Sequence, residues 1–216
     1  MKFSISPKLA LLIITAMFVL PLALAWLMYS GSVNFEPGST RNLGMLVEPP
    51  LSIDWQEVLA AQQQQDMDQP PGSGPDLLLE HWVILYPVPE PCDSSCQQRA
   101  ASLRQIHLAA GRHQSRVRLA LMLGDTNPQE SVALLHDIYP KFTLIRDPGG
   151  TLNKALATVR RGALGEMAAK DRLATDGIYL IDPLGNIMMY YAAEADPNHI
   201  KQDLKRLLTW SKLDEQ

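Results

Sequence analysis

Residues 9–29, L-A-L-L-I-I-T-A-M-F-V-L-P-L-A-L-A-W-L-M-Y, contain no charge. A run of about 20 apolar residues is the length that crosses the hydrocarbon core of a bilayer as a helix. In that solvent a helix is the one single-segment structure that satisfies its own backbone polar groups. Pro21 predicts a kink of the kind membrane helices tolerate. Trp26 and Tyr29 stand at the far end, where amphipathic rings favour the interface. Lys2 and Lys8 precede the run, so the N-terminus is expected to stay cytoplasmic and the remainder to lie in a periplasm-like space. A cleaved signal peptide is the alternative, but its apolar core is shorter and a small-x-small site follows it. Here the run ends in bulky Trp26, Leu27, Met28 and Tyr29, and Ser30-Gly31-Ser32 offers only a weak site. Residues 1–30 are therefore expected to be a cytoplasmic stub and an uncleaved single-pass anchor in the inner (cell) membrane.

Residues 31–76 read as a linker. S-G-S-V-N-F-E-P-G-S-T-R-N-L-G is polar and bears Gly and Pro. M-L-V-E-P-P-L is a short extended segment suited to a sheet edge, since residues before proline are pushed to extended geometry. Residues 60–76, with a glutamine run and P-P-G-S-G-P, have no apolar periodicity and predict a flexible loop. The net charge of −4 and the absence of a basic excess point to no nucleic-acid partner.

From Leu77 to the C-terminus the pattern is regular. L-L-L-E-H-W-V-I-L-Y-P-V predicts a buried strand. Ala100, Leu103, Ile106, His107 and Ala110 fall at helical spacing between Asp93 and Ala110, and Gly111 suits a C-cap. A second strand, R-V-R-L-A-L-M-L-G, precedes a helix from Pro128 to Tyr139. The strand F-T-L-I-R-D precedes a helix from Thr151 to Ala169. G-I-Y-L-I-D-P-L-G-N-I-M-M-Y-Y is two strands around a tight D-P-L-G reversal, hence a hairpin. The last helix runs from an Asp196 cap and a first-position Pro197 to about Leu213, with Ile200, Leu204, Leu207, Leu208 and Trp210 on its apolar face. The order β-α-β-α-β-α-β-β-α predicts an α/β fold over 77–216, a mixed sheet with helices on both faces, on a thioredoxin-like plan.

Cys92 and Cys96, in P-C-D-S-S-C, are the only cysteines. Pro89 and Pro91 stop the first strand, which puts Cys92 just before a helix and Cys96 in its first turn. Free N–H groups and the positive dipole end favour an anion there, so a lowered thiol pKa and a more abundant thiolate are expected. Cys92 is the expected nucleophile or soft-metal ligand and Cys96 the resolving thiol. Thiols four apart at a helix start can reach a disulfide. A purely structural staple is the other reading, although a loop this small removes little chain entropy.

P-C-D-S-S-C after W-V-I-L-Y, followed much later by G-I-Y-L-I-D-P-L-G-N, resembles the Sco/SenC family of membrane-anchored thioredoxin-like proteins. The resemblance covers residues 44–208 and the anchor. It implies a part in cytochrome c oxidase maturation, with copper held by two cysteines and a histidine, or reduction of a partner's disulfide. A respiratory oxidase subunit or its assembly factors would then be partners. The family histidine falls near Thr175, where this chain reads D-R-L-A-T-D-G-I-Y without one. The chain thus resembles a divergent, oxidase-associated branch.

Other histidines are poor substitutes. His81 is separated from Cys92 by the length of the first strand, about 23 Å. His107 lies eleven residues along the helix from Cys96, about 16 Å. His113 is farther still, and His136 is on another helix. His199 begins the last helix, at the end to which the hairpin returns, and is the one alternative ligand. Two thiolates alone can hold Cu(I), since soft ligands select it. Asp176 could assist proton movement, although the solvated turn residue is the favoured reading for it, as it is for Asp125 and Asp137.

Three functions follow as expectations. The first is an anchored factor for oxidase assembly, acting by thiol-disulfide exchange or Cu(I) handling at Cys92 and Cys96. The second is a non-catalytic scaffold with a structural disulfide. A peroxiredoxin-like peroxidase is weaker, because P-C-D-S-S-C lacks the usual local signature.

Overall fold

Short apolar runs alternate with amphipathic ones, and in the computed structural model the runs pair into one six-stranded sheet. Residues 6–30, 42–65, 78–124, 129–165 and 177–211 are described. The chain forms two units, residues 1–41 and 42–216. In the first, helix α1 (Pro7–Tyr29) contains Pro21. Its stretch Pro7–Leu27 is long and apolar enough to cross a membrane, and none of it is buried against protein.

The second unit carries strands β1 (Met45–Ser52), β2 (Trp82–Pro87), β3 (Val117–Leu123), β4 (Phe142–Arg146), β5 (Ile178–Ile181) and β6 (Asn186–Tyr191) in the order β1-β6-β5-β2-β3-β4. β2 runs parallel to β3, and β3 to β4. The β1–β6, β2–β5 and β5–β6 pairs are antiparallel. Helices α3 (Ser94–Ala109), α4 (Gln129–Ile138) and α6 (Pro197–Trp210) cover one face, where Leu103, Leu135 and Leu204 pack on Ile84 and Leu121. Helices α2 (Trp55–Gln65) and α5 (Thr151–Leu164) cover the other, where Val58, Leu152 and Leu156 pack on Val83 and Ala120. With both faces covered, all six residues of β2 are buried. The fold is thioredoxin-like, as its sequence pattern predicts.

Polar side chains fix the turns. Asp182 accepts the N–H groups of Leu184 and Asn186, at 3.0 and 2.8 Å, to close the hairpin. Gly185 there has φ +86°, and a Cβ on it would strike the Trp55 indole, whose Nε1 donates to the Gly185 carbonyl at 3.1 Å. Asp147 accepts from Leu152 and Asn153 at the start of α5, and Asp196 accepts from Asn198 at the start of α6.

The structure differs from the sequence reading at several points. Residues 60–65, expected as loop, continue helix α2. Among the described side chains of α2, Trp55 and Val58 are buried, and its Ala- and Gln-rich remainder shows no apolar period in the sequence. The first core strand starts at Trp82, since 78–80 form a turn in which Glu80 has φ +65°. A 3₁₀ turn, Gly111–Arg116, follows α3. Trp210 is 84% exposed and not part of the apolar face of α6; Asp203 is buried there instead. Asp203 Oδ2 accepts the N–H groups of Leu43 and Gly44, at 2.8 and 2.9 Å, and the Tyr191 hydroxyl at 3.1 Å. Burial and that carboxylate push the Tyr191 phenol far above its usual range. Asp125, Thr175, Asp176, residues 31–41 and the remainder of the 60–76 segment lie outside the described residues, as do the expected helix ends at Pro128, Ala169 and Leu213.

Candidate thiol-disulfide site

The Val88 N–H donates to the Met122 carbonyl at 2.8 Å just past the end of β2. Pro89 and Pro91 offer no further N–H, so the sheet stops. Asp93 then caps α3 with extended backbone geometry; its Oδ1 accepts the Cys96 N–H at 3.0 Å and the Ser95 hydroxyl at 2.7 Å. These bonds, the Cys96 amide first, hold the exposed Asp93 carboxyl below its ordinary value. An aspartate three residues before the first inward-facing helical residue is an N-cap signature. The sequence reading began the helix at Asp93 without singling out this role.

Cys92 and Cys96 are joined as a disulfide, with Cα atoms 5.2 Å apart. The two sulfurs have different surroundings. Cys92 is half-buried outside the helix, whereas Cys96 is 1% exposed and part of the core beneath α3. A cleft of about 310 Å³ opens beside the pair, lined by Tyr86, Pro91, Asp93, Arg99, Ile178 and Ala193. The end of β6 thus returns to the cysteine end of the sheet. Arg99 Nη1 donates to the Ala195 carbonyl at 3.2 Å and ties α3 to the approach of α6.

The remaining candidates fall elsewhere or have other partners. His199 lies half-buried in the first turn of α6, its N–H bonded to the Asp196 carbonyl at 2.8 Å. His81 Nδ1 lies 2.8 Å from the Leu79 carbonyl, and His113 is bonded to Arg112. His136 and Asp137 are exposed on α4. His107 is buried, with Nδ1 2.8 Å from the Tyr139 hydroxyl and Nε2 3.1 Å from the Val117 carbonyl. Among the described residues no group of three or more His, Cys, Asp or Glu side chains is arranged to hold a metal ion. Once reduced, the sulfurs of Cys92 and Cys96 are soft donors of the kind that select Cu(I), and among the described residues no histidine is grouped with them as the third ligand of a two-cysteine, one-histidine site.

No curated protein matches this chain. Solved structures similar to it include yeast Sco1 with copper bound, at 14% identity and a TM-score of 0.47, covering 62% of this chain and 82% of that one. A SCO1/SenC family lipoprotein from Bacillus anthracis matches at 16% identity and 0.44, covering 62% and 85%. The thioredoxin domain of a thiol-disulfide oxidoreductase from Bacteroides vulgatus matches at 12% and 0.43, covering 62% and 82%. Residues 82–211 match the model of the transmembrane-like, thioredoxin-like, C-terminal domain family, and the chain belongs to that family.

Proposed function

We propose that this protein is a membrane-anchored thiol-disulfide exchange factor working through Cys92 and Cys96. The observation that carries the reading is the asymmetry of the pair at the start of α3. One sulfur is accessible outside the helix and the other is buried in its first turn. In the reducing direction the Cys92 thiolate attacks one sulfur of a partner disulfide and displaces the other as a thiolate. The Cys96 thiolate then attacks the Cys92 sulfur, forming the Cys92–Cys96 disulfide and releasing the second partner thiolate. The partner gains two electrons and this chain loses them; a dithiol donor restores the reduced pair. The helix N-terminus stabilises the attacking thiolate.

The finer reading is that α1 holds the domain on the periplasmic face of the inner membrane and that the partner is a respiratory oxidase subunit or its assembly factor. The sequence resemblance to the Sco/SenC family and the uncharged run before Tyr29 support it. Cu(I) handling by the same two thiolates is a secondary role, supported by the softness of the donors.

The test is trapping in the full-length chain. Cys96→Ser should accumulate a mixed disulfide with the partner through Cys92, and Cys92→Ser should accumulate none. In the reduced wild type, alkylation of Cys92 should outpace that of Cys96 by about tenfold or more. An anaerobic Cu(I) titration should show binding that both serine variants lose. A pair that resists reduction in glutathione buffers, with oxidase assembly unchanged in the double-serine variant, would leave the scaffold reading standing.

A further inference from the structure

Helices α3 and α6 run side by side on one face of the sheet, and arginines tie them together at both ends. Arg99 Nη1 donates to the Ala195 carbonyl just ahead of α6, at 3.2 Å. Arg116, past the end of α3, donates to the carbonyls of Leu208 and Ser211 at the end of α6, both at 2.8 Å. The width of the trough between the two helices is therefore fixed, and a ligand entering it meets a preorganised surface.

Two cavities, of about 540 and 380 Å³, share Ile106, Ala109 and Lys201 and make the trough continuous from Ser102 to Arg112. The helical rise over that stretch is about 15 Å, or about three turns. Its floor is apolar, with Ile106, Ala109, Leu204 and Leu208. In the larger cavity the rim carries Arg112, Lys201 and Lys205 and no Asp or Glu. Lys201 Nζ donates to Asn198 Oδ1 at 2.8 Å and Arg112 Nε to His113 Nε2 at 3.1 Å, bonds that hold both cations without cancelling their charge. The carboxylate that does line the trough, Asp196, lies at its other end, where it caps α6. Basic residues by themselves do not distinguish this face, since α5 across the sheet carries Lys154, Arg160 and Arg161. The linings do: the groove of about 400 Å³ between α5 and β1 is lined by Glu48 and by no Lys or Arg.

We infer that the α3–α6 trough docks an acidic amphipathic helix of a partner protein. Apolar side chains three and four apart on such a helix meet Ile106, Leu204 and Leu208, and its Asp or Glu residues meet Arg112, Lys201 and Lys205. Charge complementarity selects an acidic partner over a basic one. The concave apolar floor selects an inserted helix over a bilayer, whose surface would meet the raised cations without entering the trough. The trough lies beyond the turn of α3 that holds Cys96, and the inference does not depend on the chemistry of the sulfurs.

The test pans a displayed library of helical peptides, each about four turns long, against the full chain in phosphatidylcholine nanodiscs. Leu is fixed at every third or fourth position, and each outer position is Glu, Lys or Gln. The enriched peptides should carry Glu in preference to Lys by about fivefold or more. Lys205→Glu should weaken their binding by about fivefold or more, and Lys154→Glu, at an exposed position on α5, should leave it unchanged. Ala109→Arg is the deciding variant, because Ala109 is exposed in the trough and the arginine adds positive charge while filling the floor. Binding to it should fall by about tenfold or more; binding that holds or tightens would show attraction to charge alone and overturn the inference. No enrichment, enrichment of Lys, or indifference to Lys205→Glu would overturn it as well. So would loss of the selected peptides when phosphatidylglycerol is added to the discs, which would give the trough to lipid.

Discussion

On one face of the sheet α3, α4 and α6 cover Ile84, Leu121 and Leu180; on the other α2 and α5 cover Val83, Ala120 and Ile181. Both clusters are apolar and both contain residues with no exposed surface. They differ in what they support. Cys96 is itself a member of the first cluster, and Cys92 packs against it. The second contains no cysteine or histidine among its buried residues. One face therefore both stabilises the domain and seats the sulfurs, while the other only stabilises. Stability and reactivity are separable from the α2–α5 side and entangled from the α3–α6 side.

The sharpest way to break that comparison is Leu152→Ala. Leu152 is fully buried on the inner face of α5, and removing such a side chain costs about 2–5 kcal/mol, including the cavity left behind. The denaturation midpoint should fall accordingly. The ratio of Cys92 to Cys96 alkylation rates, measured under folding conditions, should not change. A changed ratio would mean that the two faces communicate through the sheet.

Asp203→Ala comes next, at about 2–3 kcal/mol, because it removes an acceptor that serves the Leu43 and Gly44 amides and the Tyr191 hydroxyl. Calorimetry reads the loss, and hydrogen exchange should show faster exchange at Leu43 and Gly44 before the core opens. Simultaneous exchange of the whole domain would instead make the residues leading into β1 part of one cooperative unit.

Asp203 also marks where the sequence stopped being informative. Its backbone partners, the Leu43 and Gly44 amides, lie about 160 residues away, and in α6 it sits between Gln202 and Leu204 like any surface acid. Trp210 misled for the opposite reason: its spacing from Leu207 suits the apolar face, but it is the last residue of the helix and stays exposed. Helix α2 buries Trp55 and Val58 among its described side chains, and its Ala- and Gln-rich sequence shows no apolar period. By contrast the hairpin, the Asp196 cap and the start of α3 depend on residues within a turn of one another, and all were legible. The sulfur pair was legible for the same reason. Its unequal burial follows from the same placement, with Cys92 ahead of the helix and Cys96 in its first turn facing the core beneath α3.

Reduction of the Cys92–Cys96 bond should cost less than either substitution. Closing a loop with a sequence separation of four removes little unfolded-state entropy, about 2 kcal/mol at most. Denaturant melts of the oxidised and reduced full chain measure it. A larger cost would move the pair toward a stabilising role and erase its distinction from the blank face.

The smallest effect tests whether the two ends of α3 are independent. His107 is buried, its Nε2 within 3.1 Å of the Val117 carbonyl and 3.2 Å of the Gln114 carbonyl, and its Nδ1 2.8 Å from the Tyr139 hydroxyl. Carbonyl oxygens can only accept, so the proton of the neutral ring belongs on Nε2, and Nδ1 accepts from the tyrosine. Burial, the largest cause, lowers its pKa below the ordinary 6.5. The unfolded chain therefore takes up this proton first as the solution is acidified. The stabilising contribution is complete above pH 6.5 and is lost as pH falls through the folded value, at no more than about 1.4 kcal/mol per pH unit. The Tm of the wild type should decline over that window, and His107→Gln should flatten the decline. Cys96 lies eleven residues toward the other end of α3, about 16 Å along the axis. The alkylation rate of Cys92 should therefore show no step at the histidine titration. A step shared by both readouts would join the two ends of α3 into one responsive element and make the sulfurs sensitive to acid.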